Sequence, residues 1–177
     1  MRELLREMAV PPPDILPPLA AWLSGQSGLR IVAAFAPLPG EPDLLPLAAR
    51  FPHIRWCFPR IAANGRMTFH PADDPARELR AGAFGIREPC PEAPEMPIGR
   101  IDAFVCPGLA FDRQGGRLGR GRGYYDKALA EARGDAVKIG VCFASQLVAT
   151  TCPEPHDVPM DLLICEDGVI TIPGAPA

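Results

Sequence analysis

IDAFVCPGLAFDRQGGRLGRGRGYYDKALAEAR, residues 101–133, reads as a buried strand, a glycine-rich loop and a helix. Ile101 to Cys106 is short and apolar except for Asp102, the pattern of a strand covered on both faces. Pro107 to Gly123 is longer than a structureless connection in a compact domain should be, so a function is expected of it. Tyr124 to Arg133 returns to helix. A strand feeding a helix in this way is a building block of α/β proteins.

The same alternation runs outward from this stretch. Upstream, Leu29 to Ala36 (LRIVAAFA) reads as a buried parallel strand ending in the turn PLPGEPD, which carries Glu41 and Asp43. Leu44 to Arg50 is a short helix, and Ile54 to Phe58 is a strand closed by Pro59 and Arg60. Residues 61–69 extend the sheet through a turn at Asn64-Gly65. Asp74 to Ala81 is a short helix, followed by a proline-rich passage from Glu88 to Pro97. Downstream, Val137 to Phe143 and Leu162 to Cys165 are strands, and Val169 to Ile172 completes an edge hairpin after Asp167-Gly168. Residues 2–9 and 15–23 suit short helices, stopped by Pro11 and by Gly25. The expected fold is therefore a single α/β domain over residues 1–177, with a largely parallel sheet flanked by helices. Residues 1–28 form a short N-terminal helical segment within it.

Composition narrows the function. A chain of 177 residues is the size of one domain and should bury roughly 70% of its unfolded surface without staples. A formal net charge of -3 argues against a general nucleic-acid or membrane-surface role. The six cysteines include no C-x-x-C pair, and the three histidines complete no zinc pattern. Reduced structural thiols in a cytoplasmic protein are expected. No apolar run is long enough to cross a membrane as a helix. The partners expected are small molecules rather than nucleic acid or membrane, and the chain is expected to act as a monomer.

The local charge is less even. Arg113, Arg117, Arg120 and Arg122 share one stretch without an acid. Gly119, Gly121 and Gly123, with Gly115 and Gly116, let the backbone turn and approach a ligand closely. Successive N–H groups and the start of the following helix suit an anion, and arginine forks suit phosphate oxygens. The pattern is neither a Walker A motif nor a dinucleotide fingerprint. The plainer alternative is a flexible surface loop with solvated arginines; the concentration of arginine favours phosphate. Asp126, just inside the helix, suits a Mg²⁺ ligand, a brace for an arginine, or an acid favouring the helix dipole. A second acidic cluster, HDVPMD, offers Asp157 and Asp161, with Asp161 opening the strand LLIC. His156 suits a turn residue as well as a base.

The run DAFVCPGLAFDRQGGRLGRGRGYYDKAL, from Asp102 to Leu129, closely resembles the signature of the 5-formyltetrahydrofolate cyclo-ligase family, also called methenyltetrahydrofolate synthetases. PLPGEPD (37–43), FPR (58–60), GAFGIREP (82–89) and PEPHDVPMDLLICEDGV (153–169) fit the same family in order. The resemblance implies a fold similar to ribose-5-phosphate isomerase and CoA transferases. It implies ATP, Mg²⁺ and a reduced folate, with ATP-dependent closure of 5-formyltetrahydrofolate to 5,10-methenyltetrahydrofolate. By the same resemblance, Glu41 matches the acid that holds the pterin. Arg117, Arg120 and Arg122 with Gly119, Gly121 and Gly123 surround the ATP phosphates. Tyr125 lies near the formyl group, so Arg120 and Tyr125 are the catalytic candidates. Asp126 and Asp161 match the metal-coordinating acids. Arg2 and Arg6 show the spacing of a lysine and an arginine that reach the nucleotide in the family, with arginine in the lysine's place. The segment before the first strand is shorter than the family's usual one and is interrupted by Pro11 to Pro13, which implies a less complete nucleotide site.

This chemistry needs positioning and charge stabilisation rather than a covalent nucleophile, and the chain offers no persuasive Ser-His-Asp or Cys-His arrangement. Three other readings compete. One is a nucleotide- or folate-binding paralogue without the activity. Another is a sugar-phosphate isomerase-like enzyme, which does not explain Asp126 and Asp161. The third is a nucleic-acid accessory protein, which the net negative charge disfavours.

Overall fold

A computed structural model describes residues 13–82 and 85–174. The candidates Arg2 and Arg6, and the expected helix over residues 2–9, lie outside the described residues. A seven-stranded sheet forms the centre, in the order β12-β11-β9-β6-β1-β2-β3. Its strands are β1 (Ile31–Ala33), β2 (Arg55–Ile61), β3 (Met67–Pro71), β6 (Ala103–Cys106), β9 (Val137–Val141), β11 (Leu162–Cys165) and β12 (Gly168–Thr171). Neighbours from β2 through β1, β6 and β9 to β11 pair in parallel. The edge strands β3 and β12 pair antiparallel. Both edges are hairpins read in the sequence: Asn64-Gly65 turns β2 into β3, with Gly65 at φ 78, and Asp167-Gly168 turns β11 into β12.

The central strands read as unbroken apolar runs because both of their faces are covered. Alternate residues of β6 separate cleanly. Ala103 and Val105 join a cluster with Leu19, Leu23, Trp56 and Ile139. Phe104 and Cys106 join Phe69, Phe111 and Leu129 on the opposite face. Helix α1 (Leu16–Ser24) belongs to the first cluster and lies against β11 and β12. Two shorter helices follow in the chain, α2 (Pro46–Arg50) and α3 (Pro75–Glu78), each opening on proline, which has no N–H to leave unpaired there. Helix α4 (Tyr124–Ala130) covers the second face beside β3. It ends before Arg133, and α3 spans less than the expected 74–81. The short strands β4 (Arg80–Ala81) and β5 (Arg87–Glu88) pair with each other.

The long connection after β6 is ordered. It folds into β7 (Ala110–Asp112) and β8 (Arg117–Leu118), which pair antiparallel. β10 (Leu147–Val148) adds in parallel to give a three-stranded sheet. The hairpin has no sequence signature, because its strands are only three and two residues long and no strand alternation has room to develop.

The strand order places the site. From β1 the chain steps to β2 on one side, whereas β6, β9 and β11 build outward on the other. In open α/β sheets, ligands sit beyond the C-terminal strand ends at such a reversal. Here that position lies after β1, at Phe35 and Ala36, and after β6, at Pro107 and Gly108.

Candidate active site

A cavity of about 580 Å³ opens at this reversal, lined by Phe35, Ala36, Pro107 and Gly108 from the two strand ends. One wall is apolar, with Leu38, Pro59, Ile61, Met67 and Ile86. The glycine–arginine loop and the first turn of α4, from Arg117 to Asp126, line the cavity as well. Tyr125, Glu41 and Asp157 also line it. The candidates Glu41, Arg117, Gly119, Arg120, Gly121, Arg122, Gly123, Tyr125 and Asp126 are thus brought together in one space.

Two ion pairs organise the wall. Arg117 Nη2 donates to Asp126 Oδ1 at 3.0 Å and to Oδ2 at 2.9 Å. Their side chains are 4% and 14% exposed, so this pair is largely removed from water. The Arg117 guanidinium also lies over the Tyr125 ring, 5.3 Å from its centre. Asp126 thus holds Arg117 in place, which is one of the roles that the sequence leaves open for it. The other pair is looser. Arg120 Nη2 donates to Glu41 Oε1 at 3.2 Å, with the arginine side chain 53% exposed. Glu41 Oε2 accepts the Leu38 N–H at 3.0 Å, which fixes the carboxylate within its own turn.

The Tyr125 hydroxyl is buried without a hydrogen-bond partner, as is Arg117 Nε. Burial pushes the Tyr125 phenol well above its ordinary value, and nearby Cys106 adds to this while Arg117 opposes it. The hydroxyl therefore keeps its proton at neutral pH and is a donor on a residue that lines the cavity. Buried polar groups are normally satisfied, so two orphans on one cavity wall mark a place where a ligand supplies the missing acceptor.

Asp161, expected to share a metal with Asp126, is not among the residues that line this cavity. It stands at the start of β11, on the rim opposite the strand ends that form the cavity. There Asp161 Oδ2 accepts the Lys138 N–H at 2.7 Å and pairs with Lys138 Nζ at 3.0 Å. A parallel strand of this length carries its two ends to opposite edges of the sheet. Asp157, four residues earlier, lines the cavity instead. Of the two acids of HDVPMD, Asp157 lies in the turn and Asp161 immediately precedes β11. Neither Asp112 nor Thr151 carries a sequence motif. Among the described residues, no group of three or more His, Cys, Asp or Glu side chains could hold a metal.

A model of the 5-formyltetrahydrofolate cyclo-ligase family matches residues 37–166. The chain belongs to this family. It is 37% identical over 167 residues to the 5-formyltetrahydrofolate cyclo-ligase of Mycolicibacterium smegmatis, covering 87% of this chain and 84% of the relative. It is 40% identical over 150 residues to that of Mycoplasma genitalium, covering 83% and 79%. Among solved structures, the 5,10-methenyltetrahydrofolate synthetase of Aquifex aeolicus superposes with a TM-score of 0.75 at 28% identity, covering 92% of this chain and 84% of that one. The cyclo-ligase fold, a mostly parallel α/β sheet flanked by helices, is the one observed. The chain is accordingly an enzyme of one-carbon folate metabolism, a ligase of a family whose co-substrate is ATP. All six cysteines are free. No helix among the described residues is long and apolar enough to cross a membrane.

Proposed function

We propose that this cyclo-ligase closes 5-formyltetrahydrofolate to 5,10-methenyltetrahydrofolate by phosphorylating the formyl oxygen within the cavity at the β1/β6 reversal. The observation that carries the mechanism is the contact of Glu41 with Arg120 in one cavity, which sets an acceptor suited to a pterin beside a cation suited to phosphate. The pterin lies along the apolar wall with its amino and ring N–H groups donating to Glu41. The ATP phosphates lie against Arg120, Arg122 and the backbone N–H groups of Gly119, Gly121 and Gly123. Arg117 holds Asp126 and Tyr125 in place, and the Tyr125 hydroxyl donates to the folate near its formyl group.

The formyl oxygen attacks the γ-phosphorus as the bond from that phosphorus to the ADP oxygen breaks. N10 then attacks the activated carbon. The carbon–oxygen bond breaks with its electron pair on phosphate, and the N10 proton passes to solvent. Arg120 offsets charge on the transferring group, and both reactants are held together, which replaces a costly encounter by a local step.

Mg²⁺ bound with the nucleotide would neutralise part of the phosphate charge. Asp126 and Asp157 fit as its protein ligands because both line the cavity and the N–H of Val158, next to Asp157, donates to Asp126 Oδ1 at 3.4 Å. Two acids suffice, since Mg²⁺ keeps waters and takes phosphate oxygens. In this proposal the enzyme is a monomer acting on small molecules, and free cysteines suit the cytoplasm. The test is the absorbance of the methenyl product after mixing the protein with 5-formyltetrahydrofolate and Mg-ATP. An ATP-dependent rise is expected. Absence of product from protein that binds both substrates would overturn the assignment.

A further inference from the structure

The segment from Thr151 to Met160 crosses the mouth of the cavity and carries Asp157. Both of its ends are tied to a single tight turn, that of the β7–β8 hairpin. At one end Asp112, 1% exposed, receives the tie. Its Oδ2 accepts the Thr151 N–H at 2.8 Å and the Thr151 hydroxyl at 2.7 Å. Its Oδ1 accepts the N–H groups of Gln114 at 2.9 Å and Gly116 at 3.0 Å, closing the turn itself. At the other end the Met160 N–H donates to the Gly115 carbonyl at 2.8 Å. The space is sized for this. Gly115 sits at φ +91, and a Cβ on it would stand 2.6 Å from the Met160 carbonyl oxygen. A Cβ on Gly116 would collide with both the Thr151 hydroxyl and the Asp112 carboxylate.

The residue after this turn is Arg117, the brace for Asp126 and Tyr125. One turn therefore sets the register of two structures that approach the phosphate side from different directions: the arginine–glycine loop and the Asp157 segment. We infer that Asp112 is a positioning residue of this cyclo-ligase, which acts through Thr151 to hold Asp157 opposite the phosphate loop and so governs capture of the magnesium nucleotide rather than of the folate. Asp112 lines no part of the cavity and touches no substrate. The inference rests on the proposed placement of nucleotide and folate on opposite walls.

A pair of near-isosteric variants isolates the tie. Thr151→Val removes the hydroxyl bond to Asp112, and Thr151→Ser restores it. Asp112→Asn keeps one acceptor oxygen and turns a donor toward donors that are already fixed. Bonds to a charged acceptor of this kind suggest that Asp112→Asn weakens Mg-ADP binding by about tenfold or more. Thr151→Val should weaken it by about fivefold, with the serine variant within about twofold of wild type. The probe is Mg-ADP, titrated calorimetrically without folate. Binding of 5-formyltetrahydrofolate alone is measured on the same preparations and should change by less than about twofold. Equal loss of both ligands in Thr151→Val, or serine behaving like valine, overturns the inference and leaves Asp112 as a general stabiliser of the fold. Unchanged Mg-ADP affinity in Thr151→Val overturns it as well. Should Asp112→Asn not fold, the Thr151 pair decides alone. Failure of the underlying functional reading is distinguishable, because wild-type protein would then form no methenyl product from 5-formyltetrahydrofolate and Mg-ATP, whatever the Thr151 variants do to Mg-ADP binding.

Discussion

The two rims of the central sheet carry similar residues and use them in opposite ways. At the N-terminal rim, Asp102 accepts the N–H groups of Arg30 and Ile31, each at 2.7 Å, and Arg133 at 2.7 Å. Asp161 there is taken up by Lys138 through backbone and side chain. Each acid ties the start of one strand to the start of its neighbour. At the C-terminal rim, Tyr125 OH and Arg117 Nε are buried with no partner, and Arg120 reaches Glu41 by one half-exposed contact. At the first rim the carboxylates are taken up by strand N–H groups and cations; at the second a phenol hydroxyl and one guanidinium N–H are left for a ligand. Substitutions at the first rim should therefore lower stability and spare turnover, and those at the second should do the reverse.

Arg117 is the exception that should show the largest effect, because it serves both ends. Arg117→Ala leaves Asp126 buried without its cation, and breaking a buried pair in this way costs about 3–5 kcal/mol. Urea unfolding should register that loss, and turnover should fall by at least about a hundredfold because Tyr125 and Asp126 lose their brace. Full stability in Arg117→Ala would show that the pair belongs to the site alone.

Asp161→Asn and Asp157→Asn sharpen the contrast within one short segment. Asp161→Asn should destabilise by about 2 kcal/mol, since Lys138 loses a close anionic partner. Its kcat should stay within about twofold of wild type. Asp157→Asn should leave the unfolding curve in place and raise the Mg²⁺ concentration needed for half-maximal turnover by about tenfold. A Mg²⁺ titration of both variants at saturating ATP and folate checks this. An exchange of the two phenotypes would restore Asp161 to the metal.

Asp102 at the N-terminal rim should contribute to the acid limit of stability. Burial works against the charge of Asp102, but the N–H groups of Ile31 and Arg30 and the Arg133 guanidinium outweigh it and hold its pKa below the ordinary 3.8. The folded state thus favours the ionised form. Its contribution is fully present above that ordinary value and is lost as pH falls through the lower folded value. Asp102→Asn should unfold with a shallower dependence on pH below about 4 while matching wild type in shape near neutrality. Denaturant midpoints taken from pH 3 to pH 7 would show it.

Much of this division was visible in residue order, and its limits have physical causes. The parallel strands were legible because two-sided burial leaves them apolar from end to end, and the phosphate loop because glycine and arginine have few other reasons to concentrate there. The hairpins at Asn64-Gly65 and Asp167-Gly168 followed from turn chemistry. The choice between Asp157 and Asp161 was not legible, since it depends on which rim a strand end reaches, and strand order is a property of the whole sheet. Asp112 was hidden for a related reason. Its partner Thr151 is 39 residues away in the chain, and a buried carboxylate satisfied by backbone N–H groups leaves no local pattern.

Glu41→Gln should have the smallest effect on the fold and separates the two rims most cleanly. The amide keeps an oxygen that can accept the Leu38 N–H, so the turn at residues 38–41 should hold. What is lost is the contact with Arg120, whose side chain is 53% exposed. A pair open to water to that extent contributes about 0–1 kcal/mol after screening. For a chain of this size that is a shift in Tm of less than about 4 °C. The change in folate binding should be much larger. A pterin edge presents paired N–H donors, and a carboxylate accepts both, whereas glutamine turns an N–H₂ toward one of them. Replacing an acceptor by a donor in a partly buried site should raise the KM for 5-formyltetrahydrofolate by at least about tenfold. The KM for ATP should move by less than about threefold, because the released Arg120 still faces the phosphates. Steady-state kinetics with each substrate varied in turn, alongside a melting curve, measures all three quantities. A drop in Tm as large as that of Asp161→Asn, with equal rises in both KM values, would place Glu41 among the residues that hold the sheet together rather than those that hold the folate.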